Sequence, residues 1–395
     1  MLEAIRCAGM TKGDMKILYG IVGEGMGHAT RSKVILDELC AQGHEIAIVV
    51  SGRAHAFITR QFAARPNVTI EEIHGLTLDY DNNELDLSDS VLQNLKSAVP
   101  GLARNIEVYR EIAERRFRPD AVISDFESWA YLYGMRHHLP VISIDNMQIL
   151  NRCTHAADVT GDNSFAFKLA KWAVKVKLPR AYHYLVTSFF FPPVRKRRTT
   201  LVPPILRREI LAAKRERGTH VLVYQTAEAD LSLVATLKTL PGEFRFYGRR
   251  GATGREGNVI FQPFSETGFV EDLRTARAVI ATGGYSLMGE AVHLGVPMLA
   301  RPIQGQFEQE LNALYLRKLG YGDVTPTLSR EVLEHFLART AAYEGALQHY
   351  PRQPDNRILF GCLNELLANI REGRPPADRL RVSAMGAYES GDDEN

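Results

Sequence analysis

The residues best suited to chemistry gather around two glycine-rich turns. The first, GIVGEGMGHATRS (Gly20–Ser32), closes the apolar run MKILYGIVG and presents His28 after Gly23, Gly25 and Gly27. The second, in ATGGYSLMGEAVHLGVP (Ala281–Pro297), sets Gly283 and Gly284 between a strand-like run and a helix-like segment. A glycine turn feeding a helix is an anion cradle, because its amides can approach the ligand closely and the helix dipole favours negative charge, here a diphosphate. Glu290, inside the helix that follows, suits bidentate acceptance from two ribose hydroxyls. Pro302 ends the next strand, and Glu308 and Gln309 follow in a polar loop suited to sugar hydroxyls.

The first turn must be weighed against a dinucleotide fingerprint, G-x-G-x-x-G. Gly23 and Gly25 meet its first two positions, but His28 occupies the third. The acidic residue that should close the next strand, EIAIVVSG, is replaced by Ser51. With both requirements unmet, nicotinamide and flavin chemistry fall away and His28 becomes the group to explain. A lone His after a strand is commonly a surface or capping residue. Its place at the carboxyl end of a strand, taken with the second turn, favours a working one. Asp125, in SDFES, either serves that site or caps a helix starting near Ser128; Glu127 reads as an exposed neighbour and a weaker base. Asp79 and Asp81 form a D-x-D of the kind that binds metals, yet they sit in an acidic loop, DYDNNELDLSD, that reads as simply solvated.

The elements that must hold these groups alternate between strand-like and helix-like segments in both halves, which calls for parallel sheets covered by helices. Strands are expected at Lys16–Val22, EIAIVV, VTIEEI, DAVISDF, LPVISID and Ala181–Phe190, with a helix from about His28 to Ala41. Proline and basic residues then crowd FPPVRKRRTTLVPP, a plausible linker, and the pattern restarts with HVLVYQT, EFRFYGR, NVIFQPF, ARAVIATGG and VPMLARP. The expected division is a leader at 1–14, a first domain at 15–198, a linker at 199–215, a second domain at 216–376 and a disordered tail at 377–395. Ligands bind such sheets at the carboxyl ends of strands, where VGEGMGH, SDFES and ATGGYS all lie.

Composition excludes several classes. With 48 Lys and Arg against 46 Asp and Glu, nothing calls for nucleic acid as a partner. Cys7, Cys40, Cys153 and Cys362 make no C-x-x-C pair, which suits a reducing cytoplasm and offers no structural zinc site. No apolar run approaches the ~18 residues of a membrane span. FAFKLAKWAVKVKLPR (Phe165–Arg180) has two readings that stay open, a basic amphipathic helix lying on an anionic membrane and a helix packed on the sheet with its lysines in water. TSFFFPP reads as buried strand.

The order G-G-x-S-x-x-x-E-A-x-x-x-G-x-P, then P-x-x-x-x-x-E-Q-x-x-N-A-x-x-L-x-x-x-G, resembles the donor site of inverting nucleotide-sugar glycosyltransferases, such as the antibiotic and steroid glycosyltransferases and the peptidoglycan N-acetylglucosaminyltransferase. In the first half, the glycine loop with its His, L-x-x-x-G-H-E-I from Leu39, and PDAVISDFESWAYLYGMRHHLPVISID agree with it, so that the likeness covers about Met15 to Gly322. The resemblance implies an α/β chain of the GT-B fold, two doubly wound Rossmann-like domains facing across a cleft. It implies His28 as the base for an acceptor hydroxyl of a lipid, glycan or small molecule, with Asp125 orienting it. Gly283, Gly284, Tyr285 and Ser286 would cradle the diphosphate, Glu290 hold the ribose, and Glu308 and Gln309 hold the sugar. Thr226 stands where the family often has a phosphate-binding Ser, and Gln262 near the region that meets the base. The implied co-substrate is a nucleotide sugar, UDP-linked above others, with no cofactor and no metal, and the second half alone should hold the nucleotide. One departure is Thr282, where many members carry His. Thr282 also lies eight residues before Glu290, where a retaining enzyme would carry Glu, which counts against retention. A non-hydrolysing UDP-sugar epimerase and a non-catalytic sugar-nucleotide binder are the other readings.

Overall fold

The computed structural model describes residues 15–23, 25–75, 79–81, 84–86, 101–112, 117–161, 165–225, 231–248, 253–263 and 265–380. The strands of the first half are β1 (Lys16–Ile21), β2 (Glu45–Ser51), β3 (Val68–Ile73), a small antiparallel pair β4 (Asp79–Asp81) and β5 (Glu84–Asp86), β6 (Ala121–Asp125), β7 (Val141–Asp145), β8 (His183–Thr187) and β9 (Thr199–Val202). Those of the second half are β10 (Val221–Tyr224), β11 (Phe244–Tyr247), β12 (Gly254–Glu256), β13 (Val259–Phe261), β14 (Ala278–Ala281), β15 (Met298–Ala300) and β16 (Gly322–Val324). They build two seven-stranded sheets, β3-β2-β1-β6-β7-β8-β9 and β12-β13-β11-β10-β14-β15-β16. Neighbours within both are parallel, apart from β12 against β13. The central strands are largely apolar and buried on both faces, as parallel strands covered by helices must be, with their polar residues at the strand ends.

In each sheet the chain winds outward in one direction, returns to the middle and winds outward in the other. The crevice at that reversal lies between β1 and β6 in the first sheet and between β10 and β14 in the second. Ile21 is in register with Asp125, and Tyr224 with Ala281. Strand pairing therefore brings the first glycine turn to Asp125, and the second glycine turn to the end of β10.

Several boundaries differ from the sequence reading. Thr199–Val202, read as linker, is the edge strand of the first sheet, paired with β8. The helix Arg357–Arg371, read with the second domain, lays Leu359, Cys362, Leu363 and Leu366 into the core under the first sheet. Leu380, read as tail, is buried in that same cluster, while 381–395 fall outside the described residues. The chain thus crosses between halves twice, and the crossings are stitched together. The Asn356 amide donates to the Leu206 carbonyl (2.7 Å) and accepts from the Leu206 N–H (3.1 Å), while the Gln353 amide donates to the Pro204 carbonyl at 2.5 Å. The FFF stretch ends up in neither a strand nor a surface patch. Phe189 and Phe190 are buried against Tyr285 and Tyr315 of the second half, in one apolar cluster shared by both.

Candidate active site

The helix Met26–Ala41 starts two residues earlier than expected, at the Gly25 cap, whose φ of 78° suits glycine. Gly27 is therefore in the first helical turn, not in a loop. A Cβ there would lie 2.7 Å from Ser286 Oγ, so glycine at this position lets the helix approach the second half. Gly23 donates its N–H to Ser51 Oγ at 3.0 Å, which ties the turn to the end of β2. His28 follows, half-buried with its side chain 19% accessible and Nδ1 2.9 Å from Asp125 Oδ1.

Asp125 is buried, and its chief partner is a residue the sequence reading missed. Arg31 donates from Nε to Asp125 Oδ2 at 2.8 Å and from Nη2 to Oδ1; Ser32 Oγ donates to Oδ2 at 2.9 Å. Burial pushes the Asp125 carboxyl up, but Arg31 and then His28 outweigh that and hold it at about 2. His28 moves below its ordinary 6.5, through burial first and the Arg31 guanidinium second, against the pull of Asp125. Arg31 follows His28 by three positions, a spacing that shares a helix face, and that was the available signal. The cap of the helix Ser128–Arg136 is Glu127, not Asp125: Glu127 is buried and accepts from the N–H groups of Trp129 (2.8 Å) and Ala130 (2.6 Å). Phe126 between them has φ of 54°, a costly conformation that turns one carboxylate to the site and the next to the helix.

From this dyad a polar chain crosses to the second half. Arg31 Nη1 donates to Asn146 Oδ1 at 3.2 Å, and the Asn146 amide donates to Glu308 Oε1 at 2.6 Å. Asn312 donates to the same oxygen at 2.6 Å and to the Gly283 carbonyl at 3.4 Å. Burial pushes the Glu308 carboxyl up. Asn146 and Asn312 were not singled out from the sequence, since amides carry no pattern of their own.

The second turn is packed as tightly. The Gly283 N–H and the Ile303 N–H both donate to Gln309 Oε1, at 3.0 and 3.2 Å, so Gln309 braces the turn. Gly284 caps the helix Tyr285–Leu294 with no side-chain hydrogen bond to the first-turn amides. The Tyr285 ring is buried toward the first half, its hydroxyl 2.8 Å from Thr187 Oγ1, which leaves its backbone rather than its phenol on the turn. Ser286 Oγ donates to the Gly27 carbonyl at 3.3 Å, joining the two helix starts. Glu290 accepts a two-pronged pair from Arg207, Nε to Oε1 at 2.7 Å and Nη2 to Oε2 at 2.9 Å. Arg207 and Glu290 line a crevice with Thr30, Arg31, Ile205 and Ser286. Gln262 is half-buried just past β13, its N–H on the Phe246 carbonyl at 2.8 Å. Thr226 lies outside the described residues; Asp79 and Asp81 fall in β4, and among the described residues no group of side chains is arranged to hold a metal ion.

Two glycine-turned helix starts facing each other across paired doubly wound sheets are the arrangement expected of a two-domain nucleotide-sugar enzyme. Residues 15–341 match the family described as glycosyl transferase family 1, and the chain belongs to that family and is a glycosyltransferase. An uncharacterized glycosyltransferase of Methanosarcina acetivorans is 28% identical over 342 residues, 78% of this chain and 85% of that one. Another from Methanosarcina mazei is 27% identical over 361 residues, 81% of this chain and 90% of that one. Among solved structures, LpCGTa in complex with UDP aligns with a TM-score of 0.62 at 14% identity, covering 91% of this chain and 99% of that one. A UDP-glucosyltransferase from Polygonum tinctorium, capable of glucosylating indoxyl, aligns at 0.64 and 14% identity over 92% of this chain and 100% of its own. The two-sheet GT-B architecture expected from the sequence is the one found.

Proposed function

We propose that the enzyme transfers a sugar from a uridine diphosphate donor to an acceptor hydroxyl with inversion and without a metal ion. The observation that carries this reading is the meeting of His28 and its carboxylate with an uncapped helix start, joined through Gly27 and Ser286. Arg31 Nη2 lies 2.6 Å from the same His28 Nδ1 that meets Asp125; when Nδ1 carries the proton and donates it to Asp125, the ring's Nε2 keeps its lone pair and can act as the base. As the acceptor oxygen bonds to the anomeric carbon, its proton passes to Nε2. The bond to the diphosphate oxygen breaks on the opposite face, and the leaving group takes the electron pair. Base assistance of this kind contributes about 10²–10⁴-fold.

The departing diphosphate gains negative charge, which the amides of Gly284, Tyr285 and Ser286 and the helix dipole stabilise without reorganising. Arg207 adds a cation at the same crevice. Glu290 keeps lone pairs for the ribose hydroxyls even while paired, since a carboxylate has about four acceptor sites. In this reading Glu308 serves the donor sugar and Gln262 the base, Gln309 supports the site by bracing the Gly283 turn, and the phosphate role of Thr226 rests on the resemblance alone. The acceptor is a hydroxyl of a lipid, glycan or small molecule. Two structural neighbours, one bound to UDP and one a UDP-glucosyltransferase, support the choice of nucleotide.

Thermal unfolding with UDP, GDP and dTDP tests the donor, with UDP expected to raise the midpoint most. Turnover should persist in excess EDTA. Loss on chelation with recovery on adding Mg²⁺ or Mn²⁺ would overturn the metal-free reading and return attention to Asp79 and Asp81. Release of UDP from the donor only when an acceptor is present separates transfer from epimerisation.

A further inference from the structure

The helix Phe165–Lys177 buries one face and leaves the other, among the described residues, without a protein partner. Phe167 and Val174 are in the core, whereas Phe165 (80% accessible), Leu169, Trp172 (59%) and Val176 are exposed. Their spacing, i, i+4, i+7 and i+11, puts all four on a single stripe opposite the buried face. Single exposed apolar residues are ordinary on a protein surface, but a continuous apolar stripe marks an interaction site.

The stripe is edged with cations. Lys168 and Lys175 follow one margin on the same helix, and Lys171 lies farther round with its Nζ 5.4 Å over the buried Phe167 ring. Arg195 and Lys196 lie close by, near enough that Lys196 is pushed down to about 8, by burial first and then by Arg195, Arg152, Lys175 and Lys171. No acidic residue occurs between Phe165 and Phe191. An apolar ridge with a basic margin complements an anionic lipid–water interface, where the ridge enters the acyl boundary and the lysines meet phosphates.

The helix also reaches the catalytic cleft. Its buried Phe167 ring packs 5.1 Å from Phe307, next to Glu308, and Lys177 at its end sits 4.1 Å over the Phe126 ring, next to Asp125. We propose that the exposed face of this helix docks the enzyme on an anionic bilayer, holding the cleft at the lipid surface. A second copy of the chain suits the face less well, because two such faces would set their lysine margins against each other.

Tryptophan emission gives the test, since the chain has two tryptophans, Trp129 and Trp172. Trp129 is half-buried, stacked on Tyr133 and bonded to the Asn105 carbonyl at 3.2 Å, so the Trp129→Phe variant reports Trp172 alone. In that variant, vesicles of phosphatidylglycerol and phosphatidylcholine in equal parts should shift emission to the blue and carry the protein down on sedimentation. Phosphatidylcholine vesicles should do neither. Replacing Lys168, Lys171 and Lys175 together with Gln should weaken binding by roughly 10²-fold, and Leu169→Gln with Val176→Gln by roughly tenfold or more. Equal binding to both vesicle types, binding indifferent to these changes, or a shift that depends on protein concentration without lipid would overturn the proposal. None of these readouts uses a sugar nucleotide, so they stand apart from the catalytic reading.

Discussion

At the scale of single residues, the site joins His28, the proposed base, to a carboxylate that Arg31 already neutralises. Arg31 neutralises much of Asp125, so Asp125 raises the basicity of His28 less than a free carboxylate would, and the ring stays neutral near neutral pH. His28→Ala should lower kcat by about 10²-fold or more while leaving UDP affinity nearly unchanged, by steady-state kinetics and calorimetry. The base must be unprotonated to act, and its folded pKa lies below 6.5, so kcat/KM should fall only on acidification below that value. Arg31→Gln removes a cation beside the ring and releases the pull of Asp125, both of which raise the His28 pKa. Its acid limb should move to higher pH; an unmoved limb would mean that Arg31 only holds the fold. Asp125 itself is depressed from 3.8 to about 2, so its stabilising contribution is complete above pH 4 and is lost as pH falls toward 2. Asp125→Asn should cost roughly 3–5 kcal/mol in denaturant unfolding, because it leaves the Arg31 guanidinium buried without its partner.

At the scale of elements, the contact of two helix starts is the feature to test. Gly27→Ala places a methyl 2.7 Å from Ser286 Oγ, so it should weaken both stability and turnover, and Ser286→Ala in the same chain should restore much of each. Glu290→Ala should weaken UDP binding by roughly 1–3 kcal/mol in calorimetry, since the ribose hydroxyls lose an acceptor. It also strands Arg207, and adding Arg207→Met should recover stability without recovering affinity. The strands were legible in the sequence because parallel strands buried on both faces are unbroken apolar runs, and their carboxyl ends named His28, Asp125 and the Gly283 turn. β9 was not, because Thr199–Val202 sits among prolines and arginines and becomes a strand only by pairing with β8. β12 and β16 carry no apolar run, Gly254–Glu256 being exposed along its length and Gly322–Val324 centred on Asp323. Glu127 was misjudged as exposed because burial at a helix cap depends on packing, which local spacing does not record.

At the scale of the whole molecule, the halves are less separable than a linker between two repeating patterns suggested. The expectation that the second half holds the nucleotide alone meets two obstacles. The cluster containing Tyr285 and Tyr315 is completed by Phe189 and Phe190, and the apolar face of Arg357–Arg371 belongs against the first sheet. A fragment of residues 216–376 should therefore show no cooperative thermal transition, although the full chain does. Which sheet a terminal helix packs on is a topological choice that its own periodicity does not carry. The paired crossings held by Asn356 and Gln353 bear on how such enzymes can exchange parts. A graft of one first half for another cannot be made at one junction, because the unit to be moved is discontinuous, running from residue 15 to the strand after Arg198 and resuming at the helix Arg357–Arg371. Recombination with a single breakpoint near Pro203 would pair each first sheet with a stranger's closing helix, so hybrids that keep both breakpoints from one parent should be the ones that fold.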